Sequence, residues 1–200
     1  MSDPQLFRLV LASASPRRRE LLTQAGYVFT VEAADIDESQ RTGESPADYV
    51  RRLAEEKATV VFAKRANGGD LIVLGADTTV VLDGQILGKP ADADEAKRML
   101  RHLSGRTHQV LTGIAAASRT GVTSAVESTS VTFSAIPEAD LEAYCATPEP
   151  LDKAGAYGIQ GYAARWIPRI DGCYFNVMGL PIARTVKLIE SVFKNGAIND

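Results

Sequence analysis

Hydrophobic and polar positions along this chain switch repeatedly between a strand-like and a helix-like period, and this pattern predicts an α/β protein. The apolar run FRLVLAS, residues 7–13, predicts a buried strand. The helix after it is expected to begin at Ser15 as N-cap, with Pro16 in its first turn, and to stop at Gly26. The chain therefore starts with a predicted strand followed by a helix.

The segment ESPADYVRRLAEEKATVVFAKR predicts a second helix. Ser45 is its expected N-cap, Pro46 lies in the first turn, and Asp48 stands three residues after the cap, as in a capping box. On this pattern Lys57 is one more solvated charge on the outer face. The stripe facing the core is expected to contain four apolar residues: Tyr49, Leu53, Val60 and Phe62.

A strand and a hairpin are predicted next. The run LIVLGA is typical of a strand covered on both faces, and TTVVL and QIL around Asp83-Gly84 predict a hairpin. Asp77 stands where the buried strand is expected to emerge, so this carboxylate is either a turn-former or a functional group. Lys89 stands in LGKP, where it is either an ordinary loop charge or a functional cation.

The second half of the chain continues the alternation. DADEAKRMLRHLSG predicts a helix ending at Gly105, and THQVLTGIAAAS and TSAVESTSVTFSA predict an antiparallel pair of strands joined around RTG. A short helix follows over IPEADLEAYCAT, and LPIARTVKLIESVF closes the domain as a helix. Between them lies a Gly-rich, non-periodic stretch of a length typical of functional loops. Pro168 within it predicts a strand at a sheet edge or a bulge.

Composition and charge limit the class of protein. A chain of 200 residues with 45% hydrophobic and 24% charged positions is expected to form one soluble domain, 1–200, as a single or two-lobed body. Its net charge of -3 argues against nucleic acid as the main partner. No run approaches the ~20 apolar residues of a membrane span, and the N-terminus is unlike a secretory signal. Cys145 and Cys173 fit neither a disulfide framework nor a metal knuckle, which favours the cytoplasm.

Positive charge is concentrated in LASASPRRREL. Arg17 and Arg18 fall in the first turn of the predicted helix, where a cation without a counter-charge costs about 0.3–1 kcal/mol. An anion bound there would remove that cost, because free N–H groups and forked guanidinium groups both bind phosphate oxygens. The segment predicts either a phosphate site or a merely solvated helix start.

The remaining chemistry is that of oxygen ligands and cations. His102 and His108 have a poor spacing for two metal ligands and are expected to be structural or exposed. No Ser-His-Asp order stands out. Carboxylates of this kind suit Mg²⁺ or Mn²⁺ rather than zinc. The candidate groups are Asp35, Asp37, Glu38, Asp77, Arg17, Arg18, Lys57, Lys89 and Lys153.

Seven motifs follow one another between about residues 8 and 190: LASASPRRRELL, ADIDES, LAEEKA, GADTTVVLDGQILGKP, LSGRTHQVLTG, EPLDKAGAYGIQG and VMGLP. Together they resemble the Maf family of nucleoside triphosphate pyrophosphatases. The resemblance implies an elongated α/β fold like that of the inosine triphosphatases, with a mixed twisted sheet flanked by helices and two lobes around a deep cleft. It also implies metal-dependent hydrolysis between the α- and β-phosphates, and it makes a homodimer plausible.

The resemblance implies roles for particular residues. Asp77 matches the catalytic acid-base position, and Glu38 is expected to bind the divalent metal, Mg²⁺ or Mn²⁺, together with Asp77. Arg17, Thr78 and Gln160 match the positions that mark members acting on dTTP and UTP rather than on 7-methyl-GTP. The expected triphosphate-binding residues are Ser13, Ser15, Arg17, Arg18, Lys57, Lys89 and Lys153.

The Gln160 amide can pair with the O4 and N3–H edge of uracil or thymine, whereas cytosine presents an amine there. We therefore expect CTP to be a much poorer substrate than UTP. A rival interpretation is a binding protein that senses nucleotides or nucleic acid, in which Asp77 is dispensable and the arginines serve affinity alone.

Overall fold

The structure is a computed structural model that describes residues 6–65 and 70–197. Within these residues, seven strands form one sheet. The strands are β1 (Arg8–Leu11), β2 (Phe29–Val31), β3 (Leu71–Leu82), β4 (Gln85–Leu87), β5 (Thr107–Ser118), β6 (Gly121–Thr132) and β7 (Arg169–Asp171). The α-helices are α1 (Pro16–Gln24), α2 (Pro46–Arg65), α3 (Ala93–Leu103), α4 (Glu138–Cys145), α5 (Tyr174–Val177) and α6 (Ile182–Ala197).

The sheet is mixed, as the fold class predicts. Its strand order is β2-β1-β3-β5-β6-β7, with β4 paired to β3 outside this path. β1 runs parallel to both β2 and β3, whereas β4 is antiparallel to β3 and β7 is antiparallel to β6. Pro168 directly precedes β7, and β7 is the last strand of the order, so the edge position predicted from this proline is confirmed.

The chain forms two compact units. The first contains residues 1–77, 112–127 and 179–200, and the second contains 78–111 and 128–178. The small apolar core of the first unit includes Val10, Ala54, Ala58 and Ala115, while the larger core of the second includes Leu100, Phe133, Tyr144 and Trp166. The expectation of a single domain over 1–200 with a central cleft stays a prediction.

The predicted helix starts are confirmed by their caps. The Ser15 hydroxyl accepts the backbone N–H of Arg18 at the start of α1, and Gly26 beyond its end has a φ of +85°. At the start of α2, the Ser45 hydroxyl accepts the N–H of Asp48 at 3.2 Å and donates to its carboxylate at 2.7 Å. Each cap satisfies a helix N–H that has no carbonyl partner within the helix.

The predicted core stripe of α2 is partly wrong. Leu53 is buried, but Tyr49, Val60 and Phe62 are only half-buried. The residues that face the interior include Ala54, Ala58 and Lys57, so the prediction of Lys57 as a solvated charge is also wrong. The reason is that the helix approaches Gly75 of β3 closely at Ala54 and Ala58, which turns the side of the helix that carries Lys57 toward the sheet.

The position of Asp77 also differs from the prediction. β3 does not end near this residue but continues without a break from Leu71 to Leu82. The strand continues because the apolar residues after Asp77 are themselves buried: Val80, Val81 and Leu82. Asp77 is therefore a buried side chain in the middle of a twelve-residue strand, rather than a group at a strand exit.

The Gly-rich stretch is more regular than a loop. It contains 3-10 helices at Glu149–Asp152, Ala154–Ala156 and Tyr162–Trp166, followed by α5. Gly155 and Ala156 have φ values of +67° and +61°, and the Gly155 N–H donates to the Gly88 carbonyl at 3.0 Å. No helix among the described residues is both long and apolar enough to span a bilayer.

Candidate active site

The N-terminus of α1 is organised by two serine hydroxyls. Ser15 is the N-cap, with its hydroxyl accepting the Arg18 N–H at 3.4 Å. The buried Ser13 hydroxyl accepts the Ser15 N–H at 3.2 Å and one Nη1–H of Arg18 at 3.2 Å. The two serines and Arg18, which were predicted to bind substrate, are thus in contact with one another, and Arg17 lies half-buried in the same turn.

The Arg18 guanidinium is held by main-chain oxygens. Its Nε donates to the Gly179 carbonyl at 2.8 Å and its Nη1 to the Ala76 carbonyl at 2.9 Å. Burial lowers the pKa of Arg18, and the nearby charge of Asp77 opposes that shift. A guanidinium has five N–H donors. This one donates to the Ser13 hydroxyl and to the carbonyls of Ala76 and Gly179. Arg18 therefore ties α1 to the residue before Asp77.

The centre of the site is a lysine between two carboxylates. The Lys57 Nζ lies 2.7 Å from Asp77 Oδ1 and 2.7 Å from Glu38 Oε1. Lys57 and Asp77 are only 7% and 8% exposed, whereas the Glu38 side chain is 54% exposed. A buried ammonium requires such partners, because an unpaired charge in the interior costs several kcal/mol. The arrangement holds Asp77 in one orientation while Glu38 stays open to solvent.

Glycines allow α2 to bring Lys57 to Asp77. A β-carbon on Gly75 of β3 would lie 2.1 Å from the Ala54 carbonyl oxygen and 2.8 Å from the Ala58 nitrogen. On β5, a β-carbon on Gly113 would lie 2.1 Å from the Val50 carbonyl oxygen. Such distances exclude any side chain at either position. Alternate strand residues share a face, so Gly75 and Asp77 lie on the same side of β3 as the helix.

The segment that carries Glu38 is fastened to α2 by Arg52. Its guanidinium donates to both carboxylate oxygens of Glu44, at 2.6 and 2.9 Å, and to the Ser39 carbonyl at 3.0 Å. The hydrogen bond from Arg52 lowers the pKa of Glu44 to about 2. The Tyr49 hydroxyl donates to the Glu38 carbonyl at 3.0 Å. Burial, with the charges of Asp77 and Glu38, raises the pKa of Tyr49 to about 12. These contacts fix the backbone at Glu38 and in the residues that follow it.

The donor set fits a hard divalent cation that shares its ligands with a substrate. One carboxylate oxygen of Glu38 and one of Asp77 lie close together, because both are 2.7 Å from the Lys57 Nζ. Among the described residues, no group of three or more His, Cys, Asp or Glu side chains could enclose an ion. Mg²⁺ usually keeps several waters and binds one or two carboxylates together with substrate phosphates, so two carboxylates suffice.

The other predicted residues belong to the second unit. Thr78 follows Asp77 on β3 and is half-buried, while Lys89 and Gln160 are exposed. The Lys153 amine donates to the Glu149 carbonyl at 2.7 Å and to the Asp152 carboxylate at 2.5 Å. The first unit thus brings together Ser13, Ser15, Arg17, Arg18, Glu38, Lys57 and Asp77, and the second carries Thr78, Lys89, Lys153 and Gln160.

Sequence reasoning missed the residues that support this site. Gly75 interrupts an apolar strand run, and such a glycine is a signal of close backbone approach that could have placed α2 against β3. Arg52 and Glu44 are eight positions apart in a charged segment, and no sequence pattern singles them out. The contact becomes visible only once the segment folds back over the helix.

This chain is similar in sequence to known proteins along most of its length. The sequence profile of the family described as Maf-like protein matches residues 8–192. A dTTP/UTP pyrophosphatase of Hahella chejuensis (strain KCTC 2396) is 50% identical over 188 residues, which cover 94% of this chain and 94% of the relative. A dTTP/UTP pyrophosphatase of Myxococcus xanthus (strain DK1622) is 53% identical over 182 residues, or 91% of each chain. Among solved structures, a nucleoside-triphosphatase / dITP/XTP pyrophosphatase from Mycobacterium abscessus has a TM-score of 0.43 at 17% identity, covering 66% of this chain and 76% of that one.

Proposed function

This chain belongs to the Maf-like protein family, and we propose that it is a pyrophosphatase that hydrolyses dTTP and UTP. The family assignment made from its seven motifs is thereby confirmed. The observation that carries the mechanism is the Lys57 ammonium 2.7 Å from both Asp77 and Glu38, in the same unit as the arginine-rich start of α1. The carboxylates and the arginine-rich start of α1 thus belong to the same part of the fold.

The reaction adds one water across the bond between the α- and β-phosphates and gives a nucleoside monophosphate and pyrophosphate. Asp77 accepts a proton from the attacking water. Its Oδ1 accepts a hydrogen bond from the Lys57 ammonium. The lysine therefore orients the carboxylate, which acts as general base.

Cations hold the substrate. A triphosphate carries about four negative charges, and catalysis of phosphoryl transfer depends mainly on positioned positive groups. The start of α1 supplies Arg17, and Lys89 is an exposed cation on the second unit. Mg²⁺ or Mn²⁺ held by Glu38 and Asp77 would neutralise phosphate charge and acidify the attacking water. Arg18 adds a positive charge to this site, and its hydrogen bond to the Ala76 carbonyl holds the backbone next to Asp77.

We assign the choice of nucleobase to three residues: Arg17, Thr78 and Gln160. Gln160 is exposed and so can reach a ligand. Its amide can accept from N3–H and donate to O4 of uracil or thymine at the same time, whereas cytosine reverses one of these bonds. A site that leaves a buried polar group unpaired rejects the wrong substrate strongly. UTP and dTTP are therefore the substrates, and CTP is discriminated against.

Two further expectations accompany this proposal. Cys145 and Cys173 are free thiols, which supports a reducing compartment such as the cytoplasm. A homodimer stays an expectation, and light scattering of the purified chain measures it directly.

The decisive experiment measures pyrophosphate released from dTTP and UTP with Mn²⁺ or Mg²⁺, for the wild type and Asp77→Asn. We expect the variant to lose about 10³-fold in kcat, in the range for loss of a general base, and to keep binding nucleotide. Asp94→Asn removes an exposed carboxylate of α3 and is the matched control, with unchanged activity. Release that persists in Asp77→Asn contradicts the assigned base. Nucleotide binding without release from the wild type indicates a nucleotide sensor instead.

A further inference from the structure

Gln160 lies in a tight turn that belongs to no helix or strand. The turn runs from Gly158 to Gly161 and is closed by one backbone hydrogen bond, from the Gly161 N–H to the Gly158 carbonyl at 3.1 Å. Two glycines at its ends make such a turn conformationally permissive. Since the Gln160 side chain is exposed, its position depends on whatever holds the turn from behind.

The side chain of Tyr144 on α4 acts on this turn through Glu149. Its hydroxyl donates to Glu149 Oε1 at 3.3 Å, the same atom that lies against Gly161. The residue is only 2% exposed. Its ring stacks on Tyr162 with centroids 5.7 Å apart and meets the edge of Trp166 at 5.4 Å. Burial and the charge of Glu149 raise the pKa of Tyr144, so the hydroxyl stays protonated and able to donate.

Two further side chains close over the glycines. A β-carbon on Gly161 would lie 1.8 Å from Glu149 Oε1, and a β-carbon on Gly158 would lie 2.8 Å from Lys153 Cε. The Lys153 amine in turn donates to the Glu149 carbonyl at 2.7 Å. A side chain on either glycine would have to displace Glu149 or Lys153, so these two residues form one support around the turn. We call the three residues Tyr144, Glu149 and Lys153 the turn support.

We propose that Tyr144 is a positioning residue for base selection, holding the Gly158–Gly161 turn so that the Gln160 amide meets the pyrimidine edge in one place. This inference rests on the proposed function, because it assigns a task to the same substrate site. It also gives Lys153 a role in the turn support in place of the predicted contact with the triphosphate. Discrimination between two bases depends on a fixed amide, because a mobile one can adjust to either edge.

The experiment compares kcat/KM for UTP and for CTP in four proteins: the wild type, Tyr144→Phe, Gln160→Ala and the double variant. Tyr144→Phe removes the hydroxyl alone and keeps the ring in its stack. We expect it to lower the UTP/CTP ratio about tenfold, the equivalent of one hydrogen bond. We expect Gln160→Ala to lower the ratio at least as much, and the double variant to be no worse than Gln160→Ala, since Tyr144 acts through Gln160.

The matched control is Tyr162→Phe, which removes a hydroxyl from the same aromatic stack. That hydroxyl contacts Arg165 rather than the turn, so the ratio stays at the wild-type value. Amide hydrogen exchange of residues 157–161 gives a second readout without substrate. Tyr144→Phe is expected to speed exchange there, and Tyr162→Phe to leave it unchanged.

The outcomes distinguish a failure of base recognition by Gln160 from a failure of the positioning role of Tyr144. If Gln160→Ala keeps the wild-type ratio, base recognition by Gln160 fails, and the inference fails with it. If Gln160→Ala loses discrimination while Tyr144→Phe keeps both the ratio and the slow exchange, only the role of Tyr144 is overturned. A double variant that loses much more discrimination than Gln160→Ala also contradicts action through this turn.

Discussion

Gly75 of β3 lies so close to α2 that a β-carbon on it would stand 2.1 Å from the carbonyl oxygen of Ala54. No side chain separates strand and helix at this point. Lys57, one turn along the same helix, reaches Asp77, two residues along the same strand, at 2.7 Å. The ion pair at the centre of the site therefore depends on the absence of a methyl group beneath it.

Gly75→Ala is expected to reduce activity at least a hundredfold and to lower stability by about 1–3 kcal/mol. The added carbon must push α2 outward by an ångström or more, which moves the Lys57 amine and strains the core. Urea unfolding and pyrophosphate release measure the two effects. Gly196→Ala is the control, because a β-carbon there meets nothing within 4 Å and alanine favours a helix. Full activity in Gly75→Ala would contradict the role of this contact.

Lys57→Met is expected to destabilise the protein by about 3 kcal/mol, because it leaves Asp77 buried without its ammonium partner. Adding Asp77→Asn removes the stranded charge, so the double variant is expected to be more stable than Lys57→Met alone. Urea unfolding of both variants measures the difference. Lys64→Met, at an exposed position of the same helix, serves as control. A double variant less stable than Lys57→Met would show that the charge is not the cause.

Arg52→Gln is expected to raise the Mn²⁺ concentration needed for half-maximal binding about tenfold. Arg52 holds the Glu38 segment through Glu44 and Ser39, and groups that orient a metal ligand typically contribute affinity of this order. Calorimetric titration of Mn²⁺ in the presence of a non-hydrolysable nucleotide measures the constant. Arg51→Gln, which removes only an exposed pair with Asp48, should leave it unchanged. Equal affinity in both variants would contradict a positioning role for Arg52.

His108 is expected to make the fold sensitive to acid. Burial lowers its pKa to about 4, its Nε2 lies 2.7 Å from the Tyr157 hydroxyl, and its Nδ1 has no hydrogen-bond partner in the described part of the chain. Because the folded pKa lies below the unfolded value of ~6.5, the unfolded chain takes up a proton first as the pH falls. Stability is therefore complete above pH ~6.5 and is lost toward pH 4, by about 2 kcal/mol at pH 4.5.

His108→Gln removes this titration and keeps a polar partner for Tyr157. The loss of unfolding free energy between pH 7 and pH 4.5 is expected to be about 2 kcal/mol smaller in this variant than in the wild type. His102→Gln changes an exposed histidine and should behave like the wild type. Identical pH dependence in all three proteins would show that His108 does not titrate as described.

The elements that could be predicted from the sequence are those with local signals. Ser15 and Ser45 begin helices because their hydroxyls satisfy nearby N–H groups, and Pro168 marks an edge because it lacks a donor. The family motifs predicted which side chains belong to the candidate site. The burial of Lys57 could not be predicted from helix periodicity, because it depends on a glycine eighteen residues further along the chain. Likewise, no local pattern indicates that the Tyr144 hydroxyl bonds the Glu149 carboxylate beside the Gly158–Gly161 turn.

Resting a helix directly on strand backbone has a consequence for how the protein can change over generations. In a core packed from side chains, a larger residue at one position can be offset by a smaller residue beside it. Where glycine contacts helix backbone directly, no neighbouring side chain can be made smaller to accommodate an added carbon. The outward face of α2 is therefore free to drift in sequence, while Gly75 and Gly113 beneath it are not. The position of the Asp77 carboxylate relative to Lys57 thereby depends more on these two glycines than on the side chains of the outward face.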